Sequence, residues 1–203
     1  MTSTIPSIST MLTKIKPVFR HISLIPWCVG LDRFHCIWFH LKILYFLGFF
    51  LGYAGGQQYN GNGGPAGMLC LPDNPEISNT TTIGSSYIYG IEYEQNTLKS
   101  DAINEDVPCA LCRSRDSYSS VMIPGRMTCY PGWKREYYGY LSSGATGQTS
   151  SDYICVDINP EYTPGGQADK GGKLLYVSPI VCGSMPCPPY KQSIPLYCVV
   201  CSK

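Results

Sequence analysis

The chain has 203 residues, enough for one large domain or two small ones with a core of their own. Charged residues make up only 14%, against roughly 25% in an average globular protein, while Gly (21), Pro (16), Tyr (16) and Cys (11) are abundant. That mixture argues against helical bundles and highly charged disordered chains. The net charge of +1 removes the case for a nucleic-acid partner held by bulk charge, and a disulfide-braced β protein fits best.

The neutral total hides a break near residue 50. Lys14, Lys16, Arg20, Arg33 and Lys42 face Asp32 alone in the first fifty residues, leaving ten basic and thirteen acidic residues downstream. His21, His35 and His40 also lie there. The remaining chain has no histidine, which excludes Ser-His-Asp triads, Cys-His nucleophile pairs and His-ligated zinc from it. Basic residues, the apolar run Ile43–Leu51 and then Gly52, Ala54 and Gly55 follow the order of a secretory signal. Residues 1–50 therefore form an atypical segment with three readings: a signal or signal anchor, a gene-model artefact, or a buried strand. A membrane is a partner only if residues 36–54 act as an anchor, because the run is shorter than a spanning helix.

Downstream, the pattern is that of strands. Gly52-Tyr53 precedes a polar loop containing Gly61-Asn-Gly63-Gly-Pro-Ala66, and Met68-Leu-Cys70 is strand-like. Tyr87, Tyr89, Ile91 and Tyr93 alternate with Ile88, Gly90, Glu92 and Glu94, which predicts aromatics on one face and exposed glutamates on the other. Residues 136–141, 173–177 and 196–200 are also strand-like, with Gly-, Asn- and Pro-rich turns between them. No stretch after residue 55 carries a helical period.

Two landmarks recur. Gly52-Tyr53 leads to Cys70-Leu-Pro-Asp-Asn-Pro-Glu76, and Gly139-Tyr140 leads to Cys155-Val-Asp-Ile-Asn-Pro-Glu161. Each stretch closes on a Cys-x-x-Cys, at Cys109/Cys112 and Cys198/Cys201. A tandem duplication follows, with halves of about 51–118 and 119–203 inside a domain spanning 51–203. The second half opens with Cys129-Tyr-Pro-Gly-Trp133 and adds Cys182 and Cys187; the first half lacks the opening cysteine at the corresponding place.

Residues three apart on a strand point to opposite faces, so the members of each Cys-x-x-Cys seek separate partners. This gives a nested scheme of Cys129–Cys201, Cys155–Cys198 and Cys182–Cys187 in the second half and Cys70–Cys109 in the first. Cys112 is left uncertain, with Cys36 and Cys28 as upstream candidates. Zinc held by the two Cys-x-x-Cys pairs is the rival, although their spacing is wide for a four-thiolate site. A redox-active Cys-x-x-Cys lacks the βαβ context that chemistry uses.

Other motifs point to little chemistry. Gly61 to Ala66 formally satisfies G-x-G-x-x-A, but no helix is predicted after it, so a loop is expected. Glu92 and Glu94 share a strand face and could pair for glycosidic cleavage, yet strand-face glutamates are commonplace. Lys134, Arg135 and Glu136 read as a solvated strand edge. Asn79-Thr80-Thr81 is an N-glycosylation sequon that matters only in a secreted chain.

The sequence Cys129-x-x-Gly132-Trp133-x-x-x-Tyr137-x-Gly139-Tyr140, with the terminal Cys198-Val-Val-Cys201-Ser-Lys203, resembles the C-terminal non-collagenous domain of type IV collagen. Met68–Pro72, Tyr89–Tyr93, Asp106–Cys112, Arg135–Tyr140 and Cys187–Tyr190 are more closely similar to the short-chain collagens of sponges and their invertebrate relatives. The resemblance spans about residues 51–203. It implies two tandem β-rich halves with nested disulfides and an extracellular structural role without catalysis or cofactor. The chain departs from those collagens in having no Gly-X-Y tract, so no triple helix is expected.

The sequence thus predicts an all-β fold: two duplicated, disulfide-braced halves after a poorly structured or hydrophobic N-terminal segment. The expected function is a secreted, non-enzymatic matrix module whose partners are itself or other matrix proteins. A secreted glycan- or protein-binding module and an intracellular zinc module are the alternatives.

Overall fold

A computed structural model describes residues 28–29, 50–81, 84, 86–112, 117–163, 166 and 168–203. Ten strands and no helix occur among them. They are β1 (Cys28–Val29), β2 (Phe50–Gly56), β3 (Leu69–Pro72), β4 (Tyr89–Tyr93), β5 (Pro108–Leu111), β6 (Ser120–Pro124), β7 (Lys134–Ser143), β8 (Ile154–Asp157), β9 (Lys173–Val177) and β10 (Tyr197–Ser202).

The strands form one curled sheet in the order β6-β10-β7-β8-β1-β5-β2-β4-β9, with β3 also on β2. Because β9 pairs with β7 as well as β4, the path returns on itself. Four disulfides brace it.

The duplication is written into the register. Gly52 pairs with Pro72 on β3 and with Cys109 on β5; Gly139 pairs with Asp157 on β8 and with Cys198 on β10. Gly55 pairs with Gly90 on β4, and Ser142 pairs with Val177 on β9. Each half is therefore a central strand, β2 or β7, with three neighbours in matching places.

The two glycines explain why Gly-Tyr recurs. A Cβ at Gly52 would sit 1.6 Å from the Leu71 carbonyl oxygen, and one at Gly139 would sit 1.7 Å from that of Val156. No side chain fits where backbone passes so close. The same curl brings the flanking strands together, so Cys70 and Cys109 have Cα atoms 5.7 Å apart, as do Cys155 and Cys198.

The halves are interleaved rather than separate. The larger core joins Ala54, Ile91, Tyr93, Val107 and Cys109 to Val156, Leu175 and Val177. A second core gathers Tyr137, Leu141, Cys155, Cys198 and Val200 with Ala110. Parallel pairing of β4 with β9 and of β1 with β8 completes the seam.

Part of the N-terminal segment belongs to the sheet. Cys28 and Val29 pair with Ala110 and Cys109 on β5, the side that Ile123 and Pro124 of β6 occupy beside β10. Phe50–Gly56 is a paired strand, so the small residues Gly52, Ala54 and Gly55 sit inside the fold. The rest of the leader, with Cys36 and most of the signal-like run, lies outside the described residues.

Candidate functional site

The disulfides fix which surfaces remain open. The structure joins Cys70 to Cys109, Cys129 to Cys201, Cys155 to Cys198 and Cys182 to Cys187. Cys198 and Cys201 thus enter different bridges, as alternation along β10 requires. Sequence separations of 39, 72 and 43 close long loops, and each such bridge stabilises by up to about 4 kcal/mol by restricting the unfolded chain. With Cys109, Cys198 and Cys201 bridged, no four-thiolate zinc site exists among the described residues. Cys112 is half-buried beside the second core.

The opening motif of the second half has a local reason. Trp133 donates its backbone N–H to the Tyr130 carbonyl across Pro131-Gly132, and Gly132 takes the positive φ of 83° that a type II turn needs. That turn feeds β7. Lys134, Arg135 and Glu136 lie on a strand edge, as expected: β7 pairs there with β10 on one side and with no described strand on the other, since β8 joins β7 only from Gly139 onward. Lys134 and Glu136 form an ion pair at 3.0 Å, and the Arg135 guanidinium lies 5.0 Å from the Tyr138 ring.

The Gly61 loop is a tethered connection followed by β3, not by a helix. Thr149 N–H donates to the Tyr59 carbonyl at 2.8 Å, pinning the loop to the second half. Asn79 is exposed, as a glycan acceptor must be.

The expectation of exposed strand-face glutamates is corrected at Glu92, which is only 3% exposed. Both faces of β4 are covered. Ile91 and Tyr93 enter the core, while the loop before β9 closes over Glu92, and Lys170 N–H donates to its Oε1 at 3.2 Å. Burial pushes the Glu92 carboxyl above its ordinary range, opposed by backbone donors from Lys170 and Gly171 and aided by Asp106 and Asp169. Glu94 is raised too, chiefly by burial and then by Asp169 and Glu92. A buried Glu92 cannot reach a polysaccharide, so the pair offers no glycosidic cleft. Glu92, Glu94 and Asp169 are instead grouped so that they could hold a metal ion.

Two charged residues near this group escaped the sequence pattern. Asp169 comes from a Gly-rich loop with no motif. Lys173 is 1% exposed, donates to the Thr149 carbonyl at 3.3 Å, and is held below the usual lysine range by desolvation. Its only sequence signal is a lysine directly abutting an apolar strand.

The largest difference between the halves is an exposed face. On β2 and β3, Tyr53 pairs with Leu71 and Gly55 with Leu69, so these side chains share one face. Ile88 lies against it, within 2.9 Å of a Cβ built on Gly55. Tyr53 is 51% exposed, Leu69 47% and Ile88 58%. The matching face on β7 and β8 holds Tyr140, Ile154 and Val156, which pack in the larger core. The edges differ likewise: β3 pairs only with β2 among the described residues, whereas β8 pairs with β7 and β1. Comparisons of the chain with family models, curated proteins and solved structures return no match.

Proposed function

We infer that the protein is a secreted, non-enzymatic structural module that associates with further copies of itself. The observation that carries this reading is the open face and edge of the first half, at Tyr53, Leu69, Leu71 and Ile88. Within one molecule the corresponding face of the second half is covered by the first half's packing. A repeat that stacks in series leaves one such apolar face at its end, and a second copy of the chain that brings the same face to it would cover both.

Compartment and composition support the same reading. Four disulfides fit an oxidising environment, and no described helix is long and apolar enough to cross a membrane. The exposed sequon at Asn79 would carry a glycan there. The resemblance to short-chain and type IV collagen domains points the same way.

The test is sedimentation velocity on the oxidised full chain over a concentration series. Concentration-dependent assemblies are expected, and Leu69→Glu with Ile88→Glu should return them to monomer without loss of thermal stability. A wild type that stays monomeric to about 100 μM, a hundredfold weaker than a micromolar association, overturns the reading.

A further inference from the structure

We propose that Glu92, Glu94 and Asp169 form a calcium-type divalent-cation site that ties the two halves together at the seam between β4 and β9. Glu92 and Glu94 come from the first half, and Asp169 comes from the loop that leads into β9 in the second. One carboxylate oxygen from each residue lies within 4.8 Å of the other two. Ligands of one calcium ion, each about 2.3–2.6 Å from it, span at most about 5 Å, so the three oxygens already stand within reach of a common ion.

The grouping alone would not suffice, since acidic residues often cluster at a surface. The independent feature is Glu92. Its side chain is enclosed, the backbone of Lys170 and Gly171 donates to its carboxyl, with Lys170 N–H on Oε1, and its Oε2 is buried without a hydrogen-bond partner among the described residues. A carboxylate oxygen held out of water without a donor is costly, and a cation at that point satisfies it.

No side-chain cation among the described residues does so. Among the described residues the ion pair is Lys134 with Glu136, and the buried amine of Lys173 donates to Thr149 instead. Burial is graded from Glu92 (buried) through Glu94 (half-buried) to Asp169 (exposed), which leaves the site a mouth on the solvent side. Water can then complete the coordination shell. An all-carboxylate donor set is hard, and it favours calcium over zinc or copper, which select nitrogen and sulfur.

The site stands apart from self-association, because every ligand comes from one chain. An uncharged Glu92 that shares a proton with its neighbours is the competing arrangement, and it needs no ion. The test uses the oxidised full chain, stripped with EDTA and titrated with calcium chloride, followed by equilibrium dialysis and thermal unfolding. One saturable ion per chain is expected. The midpoint of unfolding should rise by about 3–6 °C once calcium exceeds its dissociation constant tenfold, independent of protein concentration.

Asp169→Asn and Glu92→Gln should each weaken binding at least tenfold, while Glu76→Gln in an exposed loop leaves it unchanged. Asp169 is at the surface, so its variant keeps the test sound if Glu92→Gln disturbs the seam. No saturable binding up to 10 mM, about tenfold beyond the weak end of the range for extracellular calcium modules, overturns the proposal. So does saturable binding that Asp169→Asn and Glu92→Gln leave intact.

Discussion

Tyr140, Ile154 and Val156 in the second half and Tyr53, Leu69 and Leu71 in the first occupy matching places on matching strands, yet their surroundings are opposite. Val156 is fully buried, while Tyr53 and Leu69 are about half exposed. The other faces differ less: Ala54 with Cys70 and Cys109 enters one core, and Leu141 with Cys155 and Cys198 enters the next. The halves are thus stacked in series, the inner face of the first sharing a core with the outer face of the second. Local pairing follows the repeat, but burial follows position in the stack. The staples follow position as well, since the second half holds three of the four bridges.

The strongest test of the equivalence is at the glycines. Gly52→Ala and Gly139→Ala each push a methyl group into a backbone carbonyl, with no flexible side chain to move aside. Each should cost more than about 4 kcal/mol, a range reserved for disrupted architecture. The readout is recovery of oxidised, protease-resistant protein. A tolerated Gly139→Ala beside a lethal Gly52→Ala would break the equivalence of the two central strands.

A smaller effect measures the difference in burial. Val156→Ala removes apolar volume from a closed core and should destabilise by about 2 kcal/mol. Leu71→Ala, at the matching place, removes more atoms but from a half-exposed site, and should cost less than about 1 kcal/mol in the monomer. Urea unfolding of both variants at low protein concentration decides it. Equal losses would mean that the first-half face is covered in the isolated chain.

Much of this arrangement was readable from residue order. The period of two in Tyr89–Tyr93, the Gly-Tyr landmarks and the order of the cysteines depend on local geometry, and local geometry is repeated. The route of the chain between the halves is not local. Nothing in the sequence says that β4 pairs with β9, and that pairing brings the loop before β9 over Glu92, on the face where alternation predicts solvent. Asp169 lies 75 residues beyond Glu94, so their approach had no sequence signal. Cys28 and Val29 were equally hidden, because two residues are too few to show any period.

Lys173 and Ser86 occupy matching places by the register of β4 and β9 on the central strands. Ser86 is exposed in a turn, whereas Lys173 is enclosed at the seam with a single backbone acceptor. Desolvation lowers the Lys173 pKa from its ordinary 10.5, so between the lowered value and 10.5 the unfolded chain binds more protons than the folded one. Stability from this residue therefore rises with pH across that window, and the cost of burying its charge is full below it. Lys173→Met keeps the length of the side chain without the charge. It should stabilise the protein by on the order of 1 kcal/mol at pH 7. The advantage over wild type should shrink as pH rises toward 9.5, because below 10.5 the folded wild type binds fewer protons than its unfolded chain. Urea unfolding of both proteins in EDTA at the two pH values measures the difference. A gap that stays constant or widens with pH would mean that Lys173 keeps its charge in the folded state, stabilised by a partner at the seam that the Thr149 carbonyl alone does not supply.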